Sequence, residues 1–279
     1  MKRLVLVFSV LMMAMGSSAF AETLGGERPA DLLLPTGYDA EDKDNPVKLL
    51  VLLHGFSASA RLQDLIIGTI TAQEDLGYAL LLPDGTRNAL GLRFWNAWPE
   101  CCDFQRTGID DSAYLIGLIR EAVALYNVDP EQVYLLGHSN GGYMSYRMLC
   151  DYGDEIAGIV PLAGTGPKDA ALCKADRGGA RILHVHGTDD TTITYEPGAL
   201  SAGADEMVRR WAERMNCAGP VDEKAALDVV GDDDVETDVR YHGDCDDGHD
   251  VTLWRINGAG HVPLFSSSFA RRAWNYISQ

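Results

Sequence analysis

Short apolar runs alternate along the chain with longer stretches in which apolar side chains recur at helical spacing. Several runs are apolar at every position, as strands are when both faces of a parallel sheet are covered. The predicted strands are residues 47–53, 78–82, 133–136, 156–162, 182–185 and 251–256. This alternation predicts an α/β fold, with a mostly parallel central sheet flanked by helices.

Three amphipathic stretches predict helices between and after these strands. The first carries its apolar positions at Leu115, Leu118, Ile119, Ala122, Leu125 and Tyr126, with Asp110 and Asp111 at the expected start. The second carries Met207, Val208, Trp211, Ala212 and Met215, and the third covers residues 267–277. The sequence has no internal repeat and no Pro-rich or Ser-rich linker, so we expect a single domain.

The N-terminal segment has the three parts of a secretory signal peptide. Lys2 and Arg3 precede an apolar run over residues 4–15, and Ala19-Phe20-Ala21 offers small residues for cleavage. The apolar run is shorter than the ~20 residues that span a bilayer. We expect residues 1–21 to be removed and residues 22–279 to form a single exported domain, either periplasmic or extracellular.

Composition narrows the classes of partner. Hydrophobic residues make up 46% of the chain, enough for a full core, and the formal net charge is −18. A strongly acidic protein is repelled by nucleic-acid phosphates and anionic lipid, so neither nucleic acid nor membrane is expected as a partner. Residues 221–250 hold twelve acids against Lys224 and Arg240. We expect a solvated surface loop there, with a calcium site as the alternative.

All the cysteines lie after the predicted cleavage site: Cys101, Cys102, Cys150, Cys173, Cys217 and Cys245. An even number in an exported chain favours disulfides over free thiols. The sequence does not decide the pairing, although a bond between adjacent Cys101 and Cys102 would strain the peptide between them and is not expected. A metal site is the weaker alternative, because no C-x-x-C pair or tetrahedral Cys/His spacing is present.

The pentapeptide Gly137-His138-Ser139-Asn140-Gly141 fits the pattern G-x-S-x-G. It lies between a predicted strand and a stretch that can form a helix, and this is the context of a nucleophile elbow. Ser139 is therefore the predicted nucleophile. A serine needs a base and a group that orients the base, which follow it along the chain in the order acid, then His. His261, in a loop after the last predicted strand, is the candidate base.

The acid is expected after the strand 182–185, where either Asp189 or Asp190 can supply it. His184 and His186 with an aspartate could instead bind a metal, but no third ligand has a fixed spacing. For the oxyanion we expect the main-chain N–H groups of Asn140 and of Phe56, with Ser57 as the neighbouring possibility. His54 is interpreted as a structural hydrogen-bonding residue. Trp95 and Trp98 either line a substrate cleft or belong to the core.

Taken together, these residues resemble the secreted polyhydroxybutyrate depolymerase and feruloyl esterase group, which includes acetylxylan esterases and is similar to carbohydrate esterase family one. The matching segments are Leu53-His54-Gly55, Trp95-Asn96 with Cys101-Cys102, Ile109-Asp110-Asp111, Tyr126 to Pro130 with Ser139 to Gly142, His186-Gly187-Thr188-x-Asp190, and Gly258-x-Gly260-His261. The resemblance implies an α/β-hydrolase fold, Asp190 as the acid, and disulfides that include a Cys217–Cys245 pair.

The predicted function is a secreted serine esterase that needs no cofactor. The resemblance implies esters of three kinds: polyhydroxybutyrate-type oligoesters, and feruloyl or acetyl esters of plant polysaccharide. After His261 the chain reads Val262-Pro263-Leu264-Phe265, whereas relatives continue with a Thr-Trp-Pro-Gly-like sequence. The alternatives are a serine peptidase of the same fold, because the same triad serves both reactions, and a non-catalytic exported binding protein.

Overall fold

A computed structural model describes residues 21–174, 179–219, 221–231 and 235–279. Among these residues the main sheet has ten strands, in the order β1-β2-β4-β3-β7-β8-β9-β12-β11-β10, and β5 pairs with β6 in a short separate ribbon. The strands are β1 Ala21–Leu24, β2 Ala30–Leu33, β3 Val47–Leu53, β4 Ala79–Leu82, β5 Thr86–Arg87, β6 Arg93–Phe94, β7 Val128–His138, β8 Gly158–Leu162, β9 Arg181–Gly187, β10 Asp222–Leu227, β11 Thr237–His242 and β12 Val251–Ile256. The helices are α1 Ala60–Ile67, α2 Thr69–Leu76, α3 Asp111–Leu125, α4 Asn140–Tyr152, α5 Ala204–Arg214 and α6 Phe269–Ile277.

The centre of the sheet is parallel and its edges are antiparallel. β4, β3, β7, β8, β9 and β12 run parallel to one another, whereas the pairs β1–β2 and β2–β4 at one edge and β12–β11 and β11–β10 at the other are antiparallel. Because the central strands share one direction, their carboxyl ends meet at one side of the sheet. Loops that follow β3, β7, β9 and β12 are thereby brought together.

Helices cover both faces of the sheet, as the apolar strands predict. Along β3 the side chains alternate, so that Leu49, Val51 and Leu53 pack with residues of α3, α4 and α5. Leu50 and Leu52 face the opposite way and pack with residues of α1, α2 and α6. Each buried strand thus contributes to two cores, and this explains why its sequence is apolar throughout rather than alternating.

The α/β prediction is confirmed, and each predicted strand overlaps an observed one. The predicted helices correspond to α3, α5 and α6, and Asp110 caps α3 by accepting a hydrogen bond from the Ala113 N–H. The sequence reading missed both antiparallel edges of the sheet. β1 and β2 have only four residues each, and β10 is exposed at nearly every position and begins with three charged residues, so none of them shows the long apolar run of the central strands.

The acidic stretch 221–250 is not the surface loop that we expected. Its residues 222–227 and 237–242 are the antiparallel strands β10 and β11, and β11 continues the main sheet by pairing with β12. Strand pairing uses main-chain groups and tolerates acidic side chains that point into water, and this is why charge misled the prediction. Residues 232–234 of this stretch lie outside the described residues, and the calcium alternative stays untested.

The predicted signal peptide lies almost wholly outside the described residues, which begin at Ala21 in β1. The proposed cleavage therefore stays a prediction. In the ranges that the structure describes, the helices are too short or too polar to cross a bilayer.

All six cysteines are paired in disulfides, as the sequence predicted. Cys150 at the end of α4 bonds to Cys173, and Cys217 after α5 bonds to Cys245 before β12, the pair that the resemblance implied. The expectation for Cys101 and Cys102 was wrong, because they bond to each other. That expectation was based on strain in the intervening peptide; this peptide is cis, and the two Cα atoms are 3.0 Å apart.

Candidate active site

Ser139 occupies the sharp turn between β7 and α4. Its backbone has φ 54° and ψ −117°, a conformation that L-residues rarely adopt and that projects the side chain out of the turn. The flanking glycines make this turn possible. A methyl group on Gly137 would collide with the Gly141 carbonyl, and one on Gly141 would collide with the Leu53 carbonyl. The pattern G-x-S-x-G is thus a packing requirement of this turn.

Ser139, His261 and Asp190 form one hydrogen-bonded line. Ser139 Oγ lies 2.9 Å from His261 Nε2, and His261 Nδ1 lies 2.7 Å from Asp190 Oδ2. The three residues follow β7, β12 and β9, so the parallel sheet brings His261 to residues that lie 71 and 122 positions before it in the chain. This arrangement has the geometry for proton transfer from the serine to a histidine that a carboxylate orients. The catalytic roles themselves stay predictions.

The structure distinguishes the two neighbouring aspartates. Asp190 is buried, and its Oδ1 accepts hydrogen bonds from the main-chain N–H groups of Thr192 and Ile193 at 2.8 and 2.9 Å. Asp189 is exposed and its carboxylate accepts a hydrogen bond from the neighbouring Thr188 hydroxyl. Only Asp190 therefore faces His261, which agrees with the position that the resemblance implied.

The surroundings of Asp190 favour its ionised form. Burial acts to raise the pKa of this carboxyl, but hydrogen bonds from His186 and His261, with the main-chain donor of Thr192, outweigh it and lower the pKa well below its ordinary value. Asp190 is thus a carboxylate throughout the range in which a histidine exchanges protons. A carboxylate at this position can stabilise an imidazolium at His261.

Two main-chain N–H groups are available beside Ser139. Asn140 is the first residue of α4, where N–H groups have no partner within the helix. The loop after β3 reaches the nucleophile, because a methyl group on Gly55 would lie 3.4 Å from Ser139 Cβ. In that loop the Ser57 N–H donates to the Arg93 carbonyl at 2.8 Å, whereas the Phe56 N–H has no hydrogen bond within the described part of the chain. Phe56 is therefore the better candidate of the two.

From the sequence, Trp95 and Trp98 could either line a substrate cleft or belong to the core. They are 0% and 4% exposed. Trp95 lies beside the site without facing it: its indole N–H donates to the His54 carbonyl, and its main chain exchanges two hydrogen bonds with the Asn140 side chain. Trp98 packs under the Arg147 guanidinium. The structure favours the core alternative, and Trp95 supports the turn at Asn140.

His54 is a buried structural residue, as we interpreted it. Its Nε2 accepts a hydrogen bond from the Gly85 N–H, and its Nδ1 donates to the Gly55 carbonyl, both at 2.8 Å. Burial lowers the pKa of His54 to about 4. With both nitrogens engaged by the main chain, His54 is not a second base.

Two further residues border the site, and the sequence did not single them out. His138, the variable residue before the serine, places Nε2 2.9 Å from the His261 main-chain oxygen, while its Nδ1 lies 3.2 Å from Gln63 Oε1. The same Gln63 oxygen accepts a hydrogen bond from the Gly55 N–H at 3.0 Å. The Gly55–Gln63 bond joins the loop after β3 to α1, and the His138–His261 bond joins the turn at Ser139 to the loop that carries His261. No spacing rule marks Gln63, which lies 75 positions from His138.

The metal alternative for His184 and His186 does not fit their contacts. Every ring nitrogen of the two histidines lies within hydrogen-bond distance of a tyrosine hydroxyl, a main-chain oxygen or the other ring. Within the described ranges, no group of three or more His, Cys, Asp or Glu side chains is arranged to hold a metal ion.

Residues 40–215 match the model of the phospholipase/carboxylesterase family. The chain belongs to this family of α/β-hydrolases. The matched range includes Ser139 and Asp190, and His261 lies beyond it. The finer resemblance to polyhydroxybutyrate depolymerases is not part of this finding.

Two related proteins are esterases by name. The bifunctional acetylxylan esterase/xylanase XynS20E of Neocallimastix patriciarum is 26% identical over 231 residues, which are 83% of this chain and 31% of that protein. Feruloyl esterase B of Piromyces equi is 27% identical over 257 residues, which are 88% of this chain and 44% of that protein. The chain thus spans less than half the length of these two relatives.

The fold is shared with solved structures. An acetyl xylan esterase from Aspergillus awamori superposes with a TM-score of 0.69 at 15% identity, covering 94% of this chain and 99% of that one. A Bacillus cereus carboxylesterase superposes with a TM-score of 0.58 at 16% identity, covering 90% and 94%. Together these superpositions confirm the α/β-hydrolase fold.

Proposed function

We propose that this protein hydrolyses carboxylic esters through an acyl-enzyme on Ser139. The single observation that carries the proposal is the hydrogen-bonded line from Ser139 Oγ through His261 to Asp190. Membership of the phospholipase/carboxylesterase family supports it. No step of this chemistry requires a cofactor.

In the first half-reaction Ser139 Oγ attacks the ester carbonyl carbon while its proton passes to His261 Nε2. The negative charge that develops on the carbonyl oxygen is held by the N–H groups of Phe56 and Asn140, and Asp190 stabilises the imidazolium. The intermediate collapses, the bond to the alcohol oxygen breaks, and that oxygen takes the proton from His261. An acyl group remains on Ser139.

In the second half-reaction a water molecule attacks the acyl carbon. His261 Nε2 takes a proton from this water and then returns it to Ser139 Oγ as the acid leaves. One water is consumed, and one acid and one alcohol are released. The groups that act in the first half-reaction therefore suffice for the second.

The substrate class that we favour is the acetyl and feruloyl esters of plant polysaccharide. The names of the two related proteins above, an acetylxylan esterase/xylanase and a feruloyl esterase, support this choice. Polyhydroxybutyrate-type oligoesters are a second candidate, favoured by apolar side chains directly after the candidate base. Val262 and Leu264 are 49% and 84% exposed, so an apolar chain could contact them.

We also propose that the working form is an exported single domain of residues 22–279. The three disulfides support an oxidising compartment, and the sequence of residues 1–21 supports export. N-terminal sequencing of the protein from its natural source tests the cleavage, with Glu22 as the expected first residue.

Initial rates of wild type and Ser139→Ala test the proposed activity. The substrates are short-chain nitrophenyl esters, methyl ferulate, acetylated xylan and hydroxybutyrate oligomers, with aminoacyl amides beside them. We expect turnover of esters that Ser139→Ala abolishes. Turnover of the amides alone would indicate a serine peptidase. A folded protein that neither turns over esters nor reacts with a fluorophosphonate would indicate a binding protein and overturn the proposal.

A further inference from the structure

Behind the candidate acid lies a line of buried polar side chains that the proposed reaction does not use. Tyr146 Oη lies 2.8 Å from His184 Nδ1, and His184 Nε2 lies 3.2 Å from His186 Nδ1. His186 Nε2 then lies 2.8 Å from the Ile193 carbonyl oxygen and 3.4 Å from Asp190 Oδ2. The tyrosine and both histidines are fully buried. A buried polar group is costly unless it is bonded, so such a line needs an explanation.

The donor and acceptor of each hydrogen bond in this line follow from the contacts of His186, the last side chain in it. Both partners of His186 Nε2 are oxygens that can only accept, so this nitrogen carries a proton. With neutral rings, His186 Nδ1 then accepts from His184 Nε2–H, and His184 Nδ1 accepts from the Tyr146 hydroxyl. Burial supports this assignment of donors and acceptors. It lowers the pKa of His184 and raises the pKa of Tyr146 far from their ordinary values, so that the histidine stays neutral and the tyrosine keeps its proton.

His186 contacts both ends of residues 190–193, which we call the acid loop. Its Nε2–H faces Ile193, whose own N–H donates to Asp190 Oδ1, and it also faces Asp190 Oδ2, the oxygen that binds His261. The ring therefore affects both oxygens of Asp190. It binds the turn whose N–H groups donate to Oδ1, and it contacts Oδ2 directly. Rotation of the carboxylate away from His261 would break these contacts.

We propose that His186 is a positioning residue for Asp190, with Tyr146 and His184 keeping its proton on the nitrogen that faces the acid loop. The proposal rests on the ester-hydrolase function proposed above. His186 touches neither the substrate nor the reacting atoms. It sets the orientation of the carboxylate, and the carboxylate in turn orients His261.

The test compares two replacements of His186. In His186→Phe the ring shape is retained and both nitrogens are lost, whereas in His186→Gln an amide N–H can still reach the Ile193 carbonyl. We expect kcat on a soluble nitrophenyl ester to fall on the order of tenfold to a hundredfold in His186→Phe with KM unchanged, less than the roughly 10⁴-fold loss expected when the acid itself is lost. His186→Gln should recover part of kcat.

The matched control is Tyr276→Phe. Tyr276 also donates to a buried aspartate, Asp250, but this pair lies at the start of β12, at the opposite end of the strand from the His261 loop. We expect Tyr276→Phe to lower the melting temperature without changing kcat. A loss of kcat in proportion to the loss of stability in both variants would show a purely structural role for His186 and overturn the proposal.

A measurement on the wild-type protein tests the position of the His186 proton even if the variants do not fold. Nitrogen-15 NMR of the histidine side chains should show a proton on Nε2 and none on Nδ1 of His186, and a low-field proton signal should report the bond between His261 and Asp190. His186→Phe should shift or broaden that signal. A proton on His186 Nδ1 alone overturns the proposal, as does an unchanged kcat in folded His186→Phe. If instead the wild type shows no Ser139-dependent ester turnover, the proposed function is what fails.

Discussion

His138 Nε2 lies 2.9 Å from the main-chain oxygen of His261, so the residue before the nucleophile binds the residue that carries the base. Because a main-chain oxygen can only accept, His138 is the donor. This bond fixes the distance between the loop that carries His261 and the turn at Ser139, without using the His261 ring. The ring itself stays available to Ser139 and Asp190.

Loss of this bond is expected to slow the reaction. In His138→Leu the His261 loop loses its donor, and we expect kcat to fall about tenfold, because small displacements of a catalytic group reduce rates strongly. His138→Gln carries an amide N–H that can replace the donor and should retain more activity. Steady-state kinetics of the two variants, with circular dichroism as a check of folding, measures this difference. Equal kcat values for His138→Leu and wild type would contradict the role of the bond.

The two neighbouring aspartates provide a matched pair of variants. Asp190→Asn replaces the carboxylate beside His261 by a neutral amide. We expect kcat to fall by roughly 10⁴-fold, because the imidazole is no longer held in the required tautomer. Asp189→Asn should leave kcat within about twofold of wild type, because its exposed side chain binds Thr188 and not His261. Similar losses in both variants, measured on the same nitrophenyl ester, would show that the acid has been misassigned.

The packing of the serine turn predicts a difference between two Gly→Ala variants. A methyl group at Gly137 meets the Gly141 carbonyl, and we expect Gly137→Ala to lower the free energy of unfolding by about 2 kcal/mol or more. Gly117, which is exposed within α3, has open space where a methyl group would go. Gly117→Ala should raise the free energy of unfolding by about 0.5–1 kcal/mol, the usual preference for Ala over Gly in a helix. Urea denaturation of both variants checks the two signs.

The sequence predicted what depends on neighbours along the chain. Ser139 was found because the turn needs small residues at fixed spacing, and the central strands were found because burial on both faces makes them apolar. The bond from His138 to the His261 main chain was missed, because it joins loops that lie 123 positions apart in the sequence. The role of Asp190 over Asp189 came from resemblance alone, since both follow the same strand.

Charge and covalent geometry misled the prediction in two places. β10 is almost entirely exposed, so its membership in the sheet depends on main-chain pairing with β11, which composition does not reveal. The bond between Cys101 and Cys102 joins adjacent residues, a pairing that we rejected on grounds of strain and that the spacing of the cysteines does not indicate.

The buried histidines predict how stability depends on pH. Burial lowers the pKa of His54 and of His138 to about 4 and lowers that of His184 as well, whereas a histidine in an unfolded chain titrates near pH 6.5. Between these values the unfolded chain binds protons that the folded protein does not. The free energy of unfolding should therefore fall as the pH is lowered from about 6.5 to about 4, by up to about 3 kcal/mol for each of the first two histidines.

Asp190 acts in the same direction but at lower pH, which allows the two contributions to be separated. Its lowered pKa stabilises the folded state above the pKa of an unfolded aspartate, near 3.9, and this contribution is lost only as the pH falls further. Urea denaturation at intervals from pH 7 to pH 4.5 thus reports mainly the histidines. His54→Gln, which removes one of them, should be less stable than wild type at pH 7 and show a shallower slope. A wild-type free energy of unfolding that stays constant over this interval would mean that the buried histidines take up protons without unfolding.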